Sequence, residues 1–264
     1  MNDDMNVGFY ETCIRYYDAE NVDFVEDLML YSTLAEEAGD PILDLGCGTG
    51  RVMLHLAQDG CRTVGLDNSE AMLEQGRRKL KAMPDLASRA RFVHGDALAP
   101  ALDERFKLII IPYNTFMHFS EQDDQLTVLR ACQRLLDEDG LLVIDLPNAG
   151  EMYATQGDNA LSLERTFTVP DTGNMVMQFS VSEIDRAEQR LYLTWVYDEV
   201  ARDGVMRRTV APLELRYVFP GEMDLMLAAA KLERVETFGD YLRSPFEDGS
   251  PRMIVIAQRA EEDA

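Results

Sequence analysis

The residues best suited to chemistry lie in one run of small and acidic types, Asp44-Leu45-Gly46-Cys47-Gly48-Thr49-Gly50, and in two later segments, Gly65-Leu66-Asp67 and Gly95-Asp96-Ala97. Glycines at alternate positions let a backbone turn tightly and approach a ligand closely. An acid at the end of the next strand, 67 − 46 = 21 positions beyond the first glycine, can accept both hydroxyls of a ribose. Taken alone, such a loop is equally a tight turn with a solvent-facing Asp. Acids at or just beyond three successive strand ends argue instead for a nucleoside site.

The ligand follows from what the loop lacks. A dinucleotide site needs its third glycine where this chain has Arg51, and it rests a pyrophosphate on a helix N-terminus. An acid beside the loop, Asp44, suits a ligand with an ammonium group or a bridging water, which favours S-adenosylmethionine over NAD. A proton acceptor would be wanted near such a ligand, and there are three histidines. His118 closes Tyr113-Asn114-Thr115-Phe116-Met117-His118, directly after the fourth strand, and is the candidate base; a structural part as cap or wall is the alternative. His55 falls mid-helix, and His94 ends a strand on the adenine side.

The elements that must position these residues alternate. A helical pattern from Val22 to Ala38 stops at Gly39-Asp40-Pro41, and the apolar run Ile42–Leu45 follows as the first strand. Beyond the glycine loop come a helix around Val52 to Ala57, a strand at 63–67, a helix from Ser69 and strands at 91–94 and 107–111. A helix from Ser120 to Leu136 follows, with Ser120-Glu121-Gln122-Asp123 resembling a capping box and Gly140 closing it, and then a fifth strand at 141–145. Continuous apolar strands alternating with helices predict a doubly wound, mostly parallel α/β sheet covered on both faces. From 162 to 219 the pattern changes to an antiparallel meander. A last helix and two strands, at 234–238 and 252–257, are joined by a loop too rich in glycine and proline for a crossover helix, so this pair is predicted to be antiparallel.

Together these segments, with Pro112-Tyr113-Asn114-Thr115, resemble the class I S-adenosylmethionine-dependent methyltransferases over roughly residues 40–148, and the likeness resumes in the terminal helix and strand pair. The resemblance implies a seven-stranded Rossmann-like domain, 1–149 and 219–264, with S-adenosylmethionine as cofactor and S-adenosylhomocysteine as product. It places the glycine loop (Gly46, Cys47, Gly48, Gly50), with Asp44, against the methionine part. Asp67 falls at the ribose, with its neighbour Asn68 also in the cofactor site, and Asp96 and Ala97 fall at the adenine. Pro112 and Asn114 mark the fourth strand's end, facing the methyl group. Tyr16-Tyr17-Asp18 is similar to the segment that closes over the cofactor in small-molecule members, which assigns Tyr17 to the site. Sugar-amine N-methyltransferases carry an antiparallel insert where residues 150–218 fall here. Leaving the fifth strand's carboxyl end, where open sheets bind ligands, this insert should cap the acceptor pocket or form a homodimer interface. Acceptor contacts are expected from Tyr113 and Trp195 and, if the sixth strand is parallel, from Tyr241, Arg243 and Phe246; an ordinary surface loop is the alternative for the last three. The insert's Phe179, Tyr192, Trp195 and Tyr197 could equally form one face of a small core.

Composition bounds the partners. With 25 Lys and Arg against 48 Asp and Glu, the formal charge is −23, which repels nucleic acid and anionic membrane surfaces and modestly favours a cationic acceptor by steering. The basic run Arg77-Arg78-Lys79 with Lys81 has the spacing of a solvated helix face. Cys13, Cys47, Cys61 and Cys132 form no CxxC pair, so neither a disulfide framework nor a metal site is expected. An acidic start without an apolar segment reads as cytoplasmic. The expected activity is methyl transfer to nitrogen or oxygen of a small-molecule acceptor. A non-catalytic protein that binds S-adenosylmethionine is the alternative, and an NAD(P)-dependent oxidoreductase is disfavoured by Arg51 and by the lack of a Tyr-x-x-x-Lys pair.

Overall fold

Strands whose residues are apolar without interruption must be covered on both faces, and the central strands show this directly. A computed structural model describes residues 3–155 and 159–261. In chain order the elements are α1 (Asp3–Glu20), α2 (Leu28–Ala38), β1 (Ile42–Leu45), α3 (Arg51–Gln58), β2 (Thr63–Asp67), α4 (Glu70–Lys81), β3 (Ala90–His94), β4 (Phe106–Ile111), α5 (Gln122–Leu135) and β5 (Leu136–Pro147). They continue with α6 (Ala149–Ala154), β6 (Ser162–Thr168), β7 (Met175–Asp185), β8 (Arg190–Val200), β9 (Met206–Arg216), α7 (Pro220–Ala229), β10 (Leu232–Phe238) and β11 (Arg252–Arg259). Alternate residues of β1 and β4 point to opposite layers. Leu43, Ile109 and Ile111 join the core under α1 and α5, while Ile42, Leu108 and Ile110 pack on Leu30, Tyr31 and Leu34 of α2.

The large sheet has the order β10-β11-β5-β4-β1-β2-β3. Strands β3 to β5 run parallel, and β11 is antiparallel to both β5 and β10, so β10 points the same way as the parallel set. The chain reverses its winding direction between β1 and β4, the place where open α/β sheets bind ligands outside the strands' carboxyl ends. The second sheet, β6-β7-β8-β9, is wholly antiparallel and corresponds to the expected insert. Its inner face shares a core with α1. Tyr197 stacks on Tyr16 at 4.7 Å between ring centroids, and Tyr16 donates to Glu199 Oε2 at 3.1 Å.

Four local expectations change. Helix α2 begins at Leu28, and Val22 and Val25 lie exposed in the loop before it. No side chain caps α5, whose N-cap residue is Glu121. That helix ends at Leu135, and Gly140 lies within β5, where a Cβ would come within 2.7 Å of the Phe106 carbonyl oxygen. The insert's aromatics divide between two faces: Trp195 and Tyr197 alternate on the inner side of β8, while Tyr192 is exposed on the outer. The basic run of α4 is taken up by acids, with Arg77 on Glu70, Arg78 on Glu74 and Lys79 on Asp18. No helix of the described residues is long and apolar enough to cross a membrane.

Candidate active site

The carboxyl ends of β1 to β4 open into one cavity of about 280 Å³, walled on its other sides by α1 and by the inner face of the β6–β9 sheet. The glycine loop forms its floor. Gly46 and Gly48 have φ of +74° and +55°, in the left-handed region, and both line the cavity. A Cβ on Gly46 would collide with Thr115 Cγ2, and one on Gly48 would press on Met72 Cε at 3.1 Å. The loop is tied to β2 by Gly46 and Cys47 N–H donating to the Leu66 carbonyl at 2.8 and 3.1 Å. Gly50 lies outside the cavity, which corrects its expected part. Its missing Cβ makes room for Phe92, whose Cζ would sit 2.5 Å away.

Three acids from the loop region face this space. Asp67 Oδ2 accepts from Gly48 N–H and Oδ1 from Ser69 N–H, each at 2.8 Å, so the loop and the start of α4 hold the carboxylate while each oxygen keeps a lone pair for a ligand. Asp44 is buried beneath the loop. Its Oδ2 accepts from Met53 N–H at 3.2 Å, while Oδ1 has no hydrogen-bond partner among the described residues. Burial pushes the Asp44 carboxyl up to about 7, and burial raises Asp67 as well. Asp96 accepts from Leu98 N–H at 2.8 Å and lines the cavity with Asn68 and Ala97. Arg51 also borders the cavity, but its guanidinium is bidentate to Asp27 at 2.7 and 2.6 Å and lies 4.6 Å over the Phe24 ring.

The end of β4 is shaped by residues behind it. Tyr113 and Asn114 take positive φ of 42° and 65°, which their side chains disfavour, so the surroundings must impose this turn. Fully buried Asp145 does so: its Oδ2 accepts from Tyr113 N–H at 3.2 Å and its carbonyl from Asn114 N–H at 3.0 Å. Arg252 pairs with Asp145 Oδ1 through Nε at 2.9 Å and Nη2 at 2.5 Å, and Nη2 reaches Asn114 Oδ1 at 2.9 Å. Tyr241 belongs to this group, donating to Asp145 Oδ2 at 3.1 Å, and does not line the cavity. Arg243 is also outside it. The loop folds back through a Phe238–Pro245 bridge, and Arg243 pairs with Glu37 at 2.5 Å while lying 4.9 Å over Phe238. The expected acceptor contacts of Tyr241 and Arg243 are thereby corrected, and so is that of Phe246, which packs against the main core and does not line the cavity. Tyr113 and Trp195, with Pro112 and Asn114, do line the cavity.

His118 ends a short 3-10 turn, Thr115–His118, with Nε2 at 3.0 Å from the Tyr10 hydroxyl. Of the other histidines, His55 sits 2.9 Å from Ser32 Oγ, and His94 meets the Asn68 carbonyl at 3.0 Å outside the cavity. Burial pushes His118 down to about 4 from its ordinary 6.5. The unfolded chain therefore binds this proton more readily than the folded one, so the stability tied to neutral His118 is complete above pH 6.5 and is lost as the pH falls towards 4. In a His118→Gln variant this loss disappears. Measured as the difference in unfolding free energy from wild type, the variant should gain about 3 kcal/mol on going from pH 7 to pH 4. A pH-independent difference would contradict the burial of the imidazole.

Helix α1 supplies a whole wall, of which Tyr17 is only one part. Phe9, Tyr10, Tyr17 and Glu20 line the cavity, joined from the insert by Arg165, Gln178, Leu193, Leu213 and Leu215. A 3-4-3 spacing of Tyr10, Cys13, Tyr17 and Glu20 marks one helix face and was the available signal. The insert residues alternate along their strands, as an inner sheet face requires.

A parallel sheet with a glycine loop after its first strand, an acid ending its second and an antiparallel last pair defines a nucleoside-dependent group-transfer fold. Residues 42–140 match the family described as Methyltransferase domain. A cypemycin N-terminal methyltransferase from a Streptomyces species is 28% identical over 84% of each chain. A demethylmenaquinone methyltransferase from Staphylococcus saprophyticus is 32% identical over 59% of this chain and 75% of its own. Among solved structures, the CcbJ methyltransferase from Streptomyces caelestis is 29% identical and superposes over 90% of each chain with a TM-score of 0.75. The sugar N-methyltransferase KedS8 from a Streptoalloteichus species shares the fold with a TM-score of 0.70, at 21% identity over 90% of this chain and 89% of its own. The chain belongs to the class I S-adenosylmethionine-dependent methyltransferases. S-adenosylmethionine is the cofactor, as the loop and its acids implied.

Proposed function

We propose that this enzyme methylates nitrogen or oxygen of a small-molecule acceptor held between the cofactor loop and the β6–β9 sheet. The observation that carries this is the shape of the cavity: it runs from the glycine loop to an inner wall built by α1 and the insert, a space suited to a compact acceptor. The residues fit the cofactor by their own chemistry. The unpartnered Asp44 Oδ1 suits an ammonium group, the glycines leave room for the methionine part beside Cys47, and Asp67 has lone pairs for two ribose hydroxyls. Asn68, Asp96 and Ala97 take the adenine side, Pro112 and Asn114 border the methyl position, and Tyr17 closes over the cofactor from α1. Residues 1–149 with 219–264 form the cofactor-binding unit, and 150–218 cap its acceptor end.

S-adenosylmethionine supplies a methyl group already activated by a positive sulfur, so the protein's work is to align a lone pair, exclude water and manage a proton. Tyr113 and Trp195 wall the acceptor. Neutral His118, beside the Tyr10 hydroxyl, accepts a hydrogen bond from the acceptor's N–H or O–H and takes that proton as the bond to the methyl carbon forms and the sulfur–methyl bond breaks; at a pKa of about 4 it gives the proton up to solvent once the products leave. The test supplies methyl-labelled S-adenosylmethionine with amino sugars, amino alcohols and short peptides with a free N-terminus. Labelled product is expected from at least one class, and His118→Ala should lower kcat/KM by about 100-fold while S-adenosylhomocysteine still stabilises the fold. Wild-type kcat/KM in that variant would remove His118 from the chemistry. Tight cofactor binding with no product from any acceptor would make the chain a binding protein.

A further inference from the structure

The cavity is lined by a further acid, which comes from α1 and not from the loop region. Glu20, the last residue of α1, meets Gln178 of β7 there. Gln178 Nε2 donates to Glu20 Oε2 at 3.0 Å and lies 3.3 Å from the Tyr197 hydroxyl. A carboxylate only accepts hydrogen bonds, so the amide nitrogen must face Glu20 and the amide oxygen must point elsewhere. Gln178 is only 3% exposed, and its Oε1 has no hydrogen-bond partner among the described residues although the residue lines the cavity. The Glu20 carboxyl also engages the Tyr197 hydroxyl. Its Oε1 receives one long bond, 3.4 Å, from the neighbouring Asn21, and the nearby Arg165 guanidinium donates to the Glu20 main-chain carbonyl.

Gln178 Oε1 thus lacks a donor and Glu20 Oε1 has one long one, beside a cavity that Trp195 and Tyr17 also line. A ligand hydroxyl brings one donor, an ammonium group brings three and a positive charge, and an anion would be repelled. Aromatic walls favour the same cation. We propose that Glu20 and Gln178 form the recognition end of the acceptor site and select a basic amine, bound as its ammonium ion, which gives one proton to the Glu20 carboxylate and so frees the lone pair that methyl transfer requires. This rests on the methyl-transfer reading above and narrows its acceptor from nitrogen or oxygen compounds to amines; the chain's charge of −23 steers such cations towards it.

The site has a pH signature. Burial pushes the Glu20 carboxyl up to about 7, against the pull of the Tyr197 hydroxyl, Arg165 and Asn21. The other groups that interact with it, Tyr10, Cys13 and Tyr17 on α1 and Tyr197 on β8, are pushed above their ordinary values by burial and stay neutral through this range. Amine binding should therefore strengthen as Glu20 ionises between pH 6 and pH 8.

The experiment compares wild type with Glu20→Gln, each saturated with S-adenosylhomocysteine, by calorimetry at pH 6 and pH 8. The probes are matched pairs: glucosamine and N-acetylglucosamine, benzylamine and benzyl alcohol, trialanine amide and its N-acetyl form. In wild type at least one amine should bind about 10- to 100-fold more tightly than its neutral partner at pH 8 and lose part of that at pH 6. Glu20→Gln should lose both the preference and its pH dependence, and keep its stabilisation by S-adenosylhomocysteine. Equal binding of neutral partners, unchanged amine affinity in the variant, or no amine binding at millimolar concentration would each overturn the proposal. If S-adenosylhomocysteine fails to stabilise wild type, the cofactor reading fails instead, and amine binding to the free protein, retained or lost with Glu20, still decides the recognition site.

Discussion

Asp67→Ala is expected to remove almost all stabilisation of the fold by S-adenosylmethionine and S-adenosylhomocysteine. In the proposed site this carboxylate receives two ribose hydroxyls, and hydrogen bonds to a charged group are worth about 1.5–3 kcal/mol each. Losing both weakens the cofactor by about 100- to 10,000-fold. A ligand at a hundred times its dissociation constant stabilises by about 2.7 kcal/mol, so at the same concentration the variant's shift in Tm falls close to zero. The change also releases Gly48 N–H and Ser69 N–H, which Asp67 holds at 2.8 Å, so the loop itself loosens. Asp67→Asn separates the two effects. It keeps one carbonyl oxygen for a backbone donor, so it should recover loop order more than affinity. The free protein should lose little, because burial already opposes the charge on Asp67. Thermal-shift titrations of the three proteins decide this; a wild-type affinity in Asp67→Ala would move the ribose elsewhere.

The parts of this site that were legible in the sequence are those where backbone geometry restricts residue type. Gly46 and Gly48 stand at left-handed φ with side chains crowding the missing Cβ, so few other residues fit, and the acids follow at distances fixed by one helix and one strand. Gly50 shows the limit of that logic. Its φ of +84° also requires glycine, but the crowding atom is Phe92, so the same letter serves packing rather than the cavity. Tyr241 and Arg243 were misplaced because topology brings their loop to the correct edge, whereas its direction depends on the Phe238–Pro245 bridge and on two partners, Asp145 and Glu37, distant in sequence. Helix α1 stayed hidden for the opposite reason. It is polar on average, and its aromatic face becomes meaningful only when the insert's inner face, read from strands 160 residues later, is laid against it. Asp145 gave no signal at all. It sits in an apolar strand, and its importance lies in four partners from four other segments.

Arg252→Met should be the most destabilising single change at this end of the sheet. Asp145 is fully buried, and Arg252 supplies its only positive partner among the described residues. Breaking a buried pair by removing one member leaves an uncompensated charge and costs about 3–5 kcal/mol. For a chain of this size that lowers Tm by about 6–20 °C. Tyr31 and Tyr241 would still donate to Oδ2 at 3.3 and 3.1 Å, but Oδ1 would lose both Arg252 donors. Burial already raises the Asp145 carboxyl, and without the guanidinium, which pulls the other way, the group should take up a proton at a higher pH than in the wild type. The variant should therefore be less unstable at pH 5 than at pH 8, since its folded state binds that proton more readily than the unfolded chain. The double variant Asp145→Leu/Arg252→Met separates charge from shape. Removing both charges should return much of the lost Tm, because apolar groups of similar volume tolerate burial. Methyl transfer should not return with it. The turn at Tyr113 and Asn114, with φ of 42° and 65°, depends on Asp145 Oδ2 for the Tyr113 N–H and on Arg252 for the Asn114 side chain. Recovery of kcat together with Tm in the double variant would show that the turn holds itself and that Asp145 and Arg252 serve only the core.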